Sequence, residues 1–327
     1  MEHIIDAFKG KKVLIVGDVM VDSYIMGKVE RLSPEAPVPV VNIEERDSRL
    51  GGAANVALNI VELEAEPILC SVIGNDQEGD EFMALLDSKG LLKDGIIQSG
   101  ARRTTSKTRV LGNKHQLLRI DNEVTHDIST EESRKLLDVY NKYLKSCDVV
   151  VLEDYNKGVL TESNIPMLIE AAVKAGKPVA VDPKKKNFLA YKHVTLFKPN
   201  LKEIKEGLNS DSNLRDKDKL KEAVRDLNHI LGNTYTMVTL SEDGVMVTDH
   251  KDFEFIPAHV RHISDVSGAG DTVISVASLC LACGTDSYTM ADLANLAGGL
   301  VCEENGVVPI NIEKLKNESK TLSRKSH

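Results

Sequence analysis

Short apolar runs recur along this chain, and most of them end in an acid or an amide. The run at 11–17 ends at Gly17-Asp18, that at 148–154 in Glu153-Asp154, that at 178–181 at Asp182-Pro183-Lys184, that at 194–198 at Pro199-Asn200, and that at 234–240 at Ser241. Continuous apolar runs of this length read as strands buried on both faces. A further run at 67–74 reads the same way. Between them, stretches at 78–89, 131–145, 161–175 and 217–231 carry helical periodicity, the third with a cap at Thr161 or Ser163 and a stop at Gly176. Alternating strand and helix predicts an α/β fold with a mostly parallel sheet and helices on both faces. The segments 245–248 and 253–256 read as a hairpin on it.

Two regions break this rhythm. Residues 25–29 and 38–43 are short β-segments around Ser33-Pro34-Glu35-Ala36-Pro37, and prolines confine such strands to edges or bulges. Residues 104–111 and 115–121 alternate about a Gly112-Asn113-Lys114 centre, a hairpin signal. Together they predict a small sheet projecting from the main body. Near the end, the polar, lysine-rich stretch from residue 314 reads as a frayed helical tail.

Composition narrows the function. The chain has 327 residues, 42% hydrophobic and 28% charged, which is ordinary for a globular protein. A net charge of −9 with no Trp argues against nucleic-acid binding. No run is long enough to span a membrane, and the acidic start is no secretory signal. The five cysteines, odd in number and in apolar settings, read as reduced thiols, which points to a cytoplasmic location.

The chemistry concentrates at 264–272, where Gly268-Ala269-Gly270-Asp271 precedes a long apolar helix. Free N–H groups at a helix start hold anions, and glycines admit a ligand to the backbone. An acid beside such a hole suits phosphoryl transfer. On these residues alone, the turn is equally readable as an ordinary Gly-rich helix start. Gly51-Gly52 opens a second helix with Asn55 one turn in, and Asp18 and Asp22 sit just past a strand end, placed for sugar hydroxyls or for turns. Lys107, Arg109 and Arg119 are either exposed strand charges or a site for an anionic group. Asp18, Asp154, Asp182, Asn200 and Ser241 all fall at the carboxyl ends of strands, where open α/β sheets bind ligands.

With these residues in view, the chain resembles the ribokinase-like (PfkB) carbohydrate kinases. Asp265-x-x-Gly268-Ala269-Gly270-Asp271, Gly51-Gly52-x-x-Asn55-x-Ala57 and Asn200-x-x-Glu203 are similar to that family's three motifs. Over roughly residues 10–310 it is most similar to the branch that phosphorylates D-glycero-D-manno-heptose 7-phosphate at O1, on the route to ADP-heptose and lipopolysaccharide core. The residues that carry this include Ser33-Pro34-Glu35-Ala36-Pro37, Lys107-Thr108-Arg109-Val110, Asp154-Tyr155-x-Lys157-Gly158 and Asp182-Pro183-Lys184. Arg103, Asn156 and Lys185-Lys186 depart from the branch pattern, which leaves the exact sugar less defined than the chemistry. Another sugar or sugar phosphate of the same fold, and a non-catalytic sensor on a kinase scaffold, stay open as alternatives.

The resemblance implies a three-layer α/β/α kinase domain over 1–315 and a polar tail at 316–327. Lid segments at about 18–46 and 100–122 are expected to clasp a homodimer. It implies ATP and Mg²⁺ as cofactors, a phosphorylated sugar as substrate, and a stand-alone kinase, since no His-x-Gly-His motif of a nucleotidyltransferase is present. Asp271 is then the base and the N–H groups of Gly268, Ala269 and Gly270 the anion hole. Asp18, Asp22, Gly51, Gly52, Asn55 and Asp154 hold the sugar, with Lys107 and Arg109 on its phosphate. Lys184, Asn200, Glu203, Thr239, Ser241, Gly244 and Asn295 attend the nucleotide, and Asn200 and Glu203 organise the metal through water.

Overall fold

A computed structural model of the chain describes residues 1–259, 263–304 and 306–325, with side chains to residue 320. It opens with a short helix α1 (Glu2–Asp6) and strand β1 (Lys12–Gly17), followed by two 14-residue strands, β2 (Val19–Leu32) and β3 (Pro39–Gly52). Next come α2 (Ala53–Glu62), β4 (Glu66–Gly74), α3 (Gln77–Ser88), β5 (Ile96–Ser99), β6 (Thr105–Gly112) and β7 (His115–Asn122). The alternating part contains α4 (Thr130–Leu144), β8 (Val149–Glu153), α5 (Asn164–Lys174), β9 (Val179–Asp182), β10 (Leu196–Phe197), α6 (Leu201–Gly207), α7 (Lys217–Leu231) and β11 (Tyr235–Thr239). The hairpin β12 (Val245–Thr248) and β13 (Phe253–Ile256) precedes α8 (Ala269–Ala282), α9 (Ser287–Val301) and α10 (Ile312–Lys325).

Nine strands form the main sheet in the order β13-β12-β11-β10-β9-β8-β1-β4-β5, parallel except for β12 and β13. Successive residues of β1 explain the layers. Val13 and Ile15 face a core shared with α2, α8 and α9, whereas Leu14 and Val16 face a second core shared with α4, α5 and α7. A strand apolar at every position is thus buried on both sides, and the result is the expected α/β/α sandwich. The chain pairs β1 with β4 on one side and with β8 on the other, so connections reverse there and a crevice opens beyond the strand ends.

The projecting sheet is β3-β2-β6-β7. Its first two strands are longer than the sequence pattern predicts, because register shifts at Met26/Gly27 and Val29/Arg31 carry the pairing on to Pro39. The turn between β6 and β7 falls at Asn113 and Lys114, both at positive φ, and the Asn113 side chain bonds the backbone of Val29. Cross-strand partners share a face. Asp22, Arg49, Lys107 and Asp121 form one charged row, and Tyr24, Asp47, Arg109 and Arg119 the next. The opposite face carries Ile25, Val110, Leu118 and Ile120, of which Leu118 and Ile120 are 55% and 51% exposed. Arg49 on the charged face donates to the carbonyl of Val307, which turns that face toward the body.

Three details differ from the sequence pattern. Gly51 and Gly52 close β3 instead of forming a separate turn, and Gly52 at φ 61° is the N-cap of α2. Helix α5 starts at Asn164, and the Thr161 hydroxyl, not Ser163, accepts the first helical N–H. The lysine-rich end forms α10 across residue 315. Leu315 is buried there, and Lys316 and Lys320 pair with Asp6 and Glu2 of α1. Among the described residues no helix is long and apolar enough to cross a membrane.

Candidate active site

Helix α8 is buried all round from Asp271 to Cys280, so its start is held firmly against the sheet. Gly268 caps it at φ 80°, in the left-handed region, and a Cβ there would meet the Asn55 amide at 3.0 Å. No side chain caps the first turn, whose residues line the crevice; the Ala269 N–H donates to the carbonyl of Val266 at 3.3 Å. Asp271 lies one turn in. Its two oxygens accept hydrogen bonds from the Tyr155 hydroxyl and from the Asn55 amide, each at 2.6 Å. Burial outweighs these bonds and pushes its carboxyl up to about 6.

A cleft of about 1220 Å³ opens from this point. It gathers Gly268, Ala269, Gly270 and Asp271 with every residue that the sequence assigned to the nucleotide: Lys184, Asn200, Glu203, Thr239, Ser241, Gly244 and Asn295. Each has a local reason for its place. Asn200 and Glu203 form a reciprocal capping box at the start of α6. Glu203 also pairs with Lys184 at 2.6 Å, so both members of the expected metal pair are engaged with protein groups. Thr239 bridges to Asn200 at the end of β11. Gly244 sits at φ 93°, against the carbonyl of Ile256, and Asn295 donates to Pro257.

The floor of the cleft is strongly charged. Asp182 bonds Lys198 at 2.8 Å and Lys184 at 3.1 Å. Burial opposes the charge on each of these groups, yet their mutual attraction prevails, holding Asp182 below and both lysines above their ordinary ranges. Beside them Glu153 is wholly buried, and burial together with Asp182 and Asp271 raises its carboxyl well above the usual range. Two ammonium groups beside an open helix start suit a polyphosphate, so the donor set fits ATP.

The residues assigned to the sugar lie outside that cleft and divide into two groups. Asn55 touches Asp271 directly. Asp22 pairs with Arg109 at 2.6 Å and packs on Gly51, where a Cβ would stand 2.2 Å from its oxygen. Gly52 lies against the carbonyl of Asp18. Asp18 and Asp154 instead serve the protein. Asp18 accepts the backbone N–H groups of Tyr155, Lys157 and Val159, and Asp154 accepts from Tyr191, Asn187 and the N–H of Asn156. Lys107 pairs with Asp121 and Glu123, and Lys157 reaches the same Glu123 at 2.9 Å.

The sequence pattern assigned no role to Tyr155 or Lys198. Both signals were present: a tyrosine directly after a strand-end acid, and a lysine closing an apolar run. Replacing Tyr155 with Phe removes a donor to the charged form of Asp271. We expect kcat to fall about tenfold and the acid limb of kcat/KM to move to higher pH. An unmoved limb in a pH–rate series would show that Tyr155 does not tune Asp271.

The profile of the pfkB family carbohydrate kinases matches residues 10–314. Among curated proteins, the Bifunctional protein HldE of Desulfatibacillum aliphaticivorans is 39% identical over 313 residues, and that of Caulobacter vibrioides 40% over 318. These alignments cover 95% and 96% of this chain but 64% and 65% of the relatives, so the chain spans under two thirds of their length. Among solved structures, phosphofructokinase-2 from Escherichia coli in complex with fructose-6-phosphate superposes with a TM-score of 0.75 at 18% identity, over 94% of this chain and 99% of that one. Arabidopsis thaliana ribokinase complexed with ribose and ATP gives 0.73 at 17% identity, with coverage of 94% and 99%. At such identities these two establish the shared ribokinase-like fold alone.

Proposed function

The chain belongs to the pfkB family of carbohydrate kinases, phosphotransferases acting on sugar hydroxyls, and we propose that its acceptor is O1 of D-glycero-D-manno-heptose 7-phosphate, with ATP as donor, on the route to ADP-heptose. The observation that carries this reading is the position of Asp271. It lies between an ammonium-lined cleft on one side and Asn55, with the Asp22–Arg109 pair beyond, on the other. The buried Oδ1 of Asn55 has no hydrogen-bond partner among the described residues, which suits a sugar hydroxyl beside the base.

Asp271 takes the proton of the attacking hydroxyl. The hydroxyl oxygen then bonds the γ-phosphorus as the bond to the ADP oxygen breaks. The N–H groups of Gly268, Ala269 and Gly270, with Lys184 and Lys198, steady the charge on the moving phosphoryl. Asn200 and Glu203 would hold Mg²⁺ through its waters; when bound, the ion neutralises phosphate charge. Thr239, Ser241, Gly244 and Asn295 receive the nucleoside. The charged face of the projecting sheet covers the sugar, with Arg109 and Lys107 on its phosphate. Closure over the site excludes water as a competing acceptor. The exposed apolar face of that sheet packs against the same face of a second copy as a homodimer.

An ADP-release assay across heptose, hexose and pentose phosphates tests the acceptor. Heptose 7-phosphate is expected to give the highest kcat/KM, and a preference for another sugar would replace this reading. Arg109→Ala is expected to raise KM about tenfold or more for a phosphorylated sugar and far less for its unphosphorylated counterpart. Equal changes would remove Arg109 from the phosphate.

A further inference from the structure

We propose that Arg102 is a positioning residue for the reaction: it clamps the 155–159 loop from its carbonyl side and so keeps the Tyr155 hydroxyl on Asp271. This rests on the reading of Asp271 as the base. Two of the loop residues, Asn156 and Gly158, stand at φ 55° and 88°, so the loop builds no helix or ladder of its own and its polar groups are met from outside. Asp18 meets the N–H side, taking the N–H groups of Tyr155 and Lys157 on one oxygen and that of Val159 on the other. Arg102, between β5 and β6, meets the carbonyl side, where its Nη2 donates to the Lys157 carbonyl at 2.5 Å. Lys157 is thus held at both backbone ends by side chains of opposite charge. Tyr155 shares the same Asp18 oxygen and reaches Asp271 with its hydroxyl.

The rest of the guanidinium is left without reward. Its Nε and Nη1 are buried and have no hydrogen-bond partner among the described residues. Burial works against its charge, which Asp18 and Glu132 support from a distance. The attraction is mutual: burial raises the Asp18 carboxyl, and Arg102 joins the three backbone N–H groups in opposing that rise. These two carboxylates already supply the counter-charge, so the free edge of Arg102 is poorly suited to a substrate phosphate. A buried charge held at such a cost calls for a reason, and fixing the geometry beside a reaction centre is one.

Fluorine NMR of the ligand-free protein labelled with 3-fluorotyrosine tests this. The Tyr155 signal, identified by its loss in Tyr155→Phe, is expected to titrate with Asp271 at about pH 6. Arg102→Ala is expected to raise that midpoint by about half a pH unit, because a weaker bond from the phenol supports the charged carboxylate less. Glu153, Asp182 and Lys184 also face Asp271, and Lys184 lies over the Tyr155 ring; all three are the same in every variant. In kinetics, kcat is expected to fall about fivefold with KM little changed. Arg102→Lys, which keeps the charge and the one N–H that the carbonyl needs, should recover most of that loss. Added to Tyr155→Phe, the alanine change should cost less than about twofold more, since both act through one hydrogen bond. Should Arg102→Ala fail to fold, Arg102→Met serves the same comparisons. An unmoved midpoint, additive losses in the double variant, or a change confined to KM for a phosphorylated sugar would each overturn the role. The midpoint is read without substrate and does not depend on which sugar is the acceptor, and failure of the base reading looks different, as a kcat near wild type in Asp271→Asn.

Discussion

Replacing Asp271 with Asn is expected to lower kcat by at least about a hundredfold, with KM for ATP and sugar changed only a few-fold. The amide keeps the shape of the carboxylate. Asn55 can still donate to its oxygen, and the Tyr155 hydroxyl, which both donates and accepts, can receive its N–H. The α8 start and its N–H groups stay in place. What is lost is the capacity to take a proton, so the effect falls on the chemical step. Steady-state kinetics, with nucleotide affinity measured by calorimetry, makes the check. A kcat near wild type would remove Asp271 from the role of base.

The second large effect is on stability. Asp18→Ala is expected to lower the unfolding free energy by about 2–4 kcal/mol, because the backbone N–H groups of Tyr155, Lys157 and Val159 lose their shared acceptor. Urea denaturation should show a lower midpoint with little change in slope. Sugar affinity should fall as well, through disorder of the 155–159 loop. Unchanged stability with a raised sugar KM would instead make Asp18 a direct sugar ligand.

These two aspartates mark the boundary of what a sequence displays. The Gly-x-Gly turn before Asp271 was ambiguous alone and became legible only beside Gly51-Gly52-x-x-Asn55 and Asn200-x-x-Glu203; the structure places Asp271 in the first turn of α8. The sheet was legible for a similar reason, since runs apolar at every position must be buried on both faces. Asp18 and Asp154 looked like rim ligands because strand ends deliver side chains to the rim. Whether their oxygens are already occupied depends on loops more than 30 residues away for Tyr191 and more than 130 for Tyr155. Asn200-x-x-Glu203 is ambiguous in another way. The spacing expected of a metal pair is also the spacing of a capping box, and the fold uses it as one. Tyr155, though part of a quoted motif, received no role because its partner lies 116 residues on, and Lys198 none because one lysine after an apolar run resembles any solvated strand end.

The segment 155–159, just past β8, joins the projecting sheet to the start of α8. Asp18 grips its backbone, its first residue touches Asp271, and its lysine is tethered through Glu123 to Lys107 of the projecting sheet. Residues 155–159 thus link the projecting sheet to the carboxylate of Asp271 through an unbroken chain of contacts anchored at Asp18.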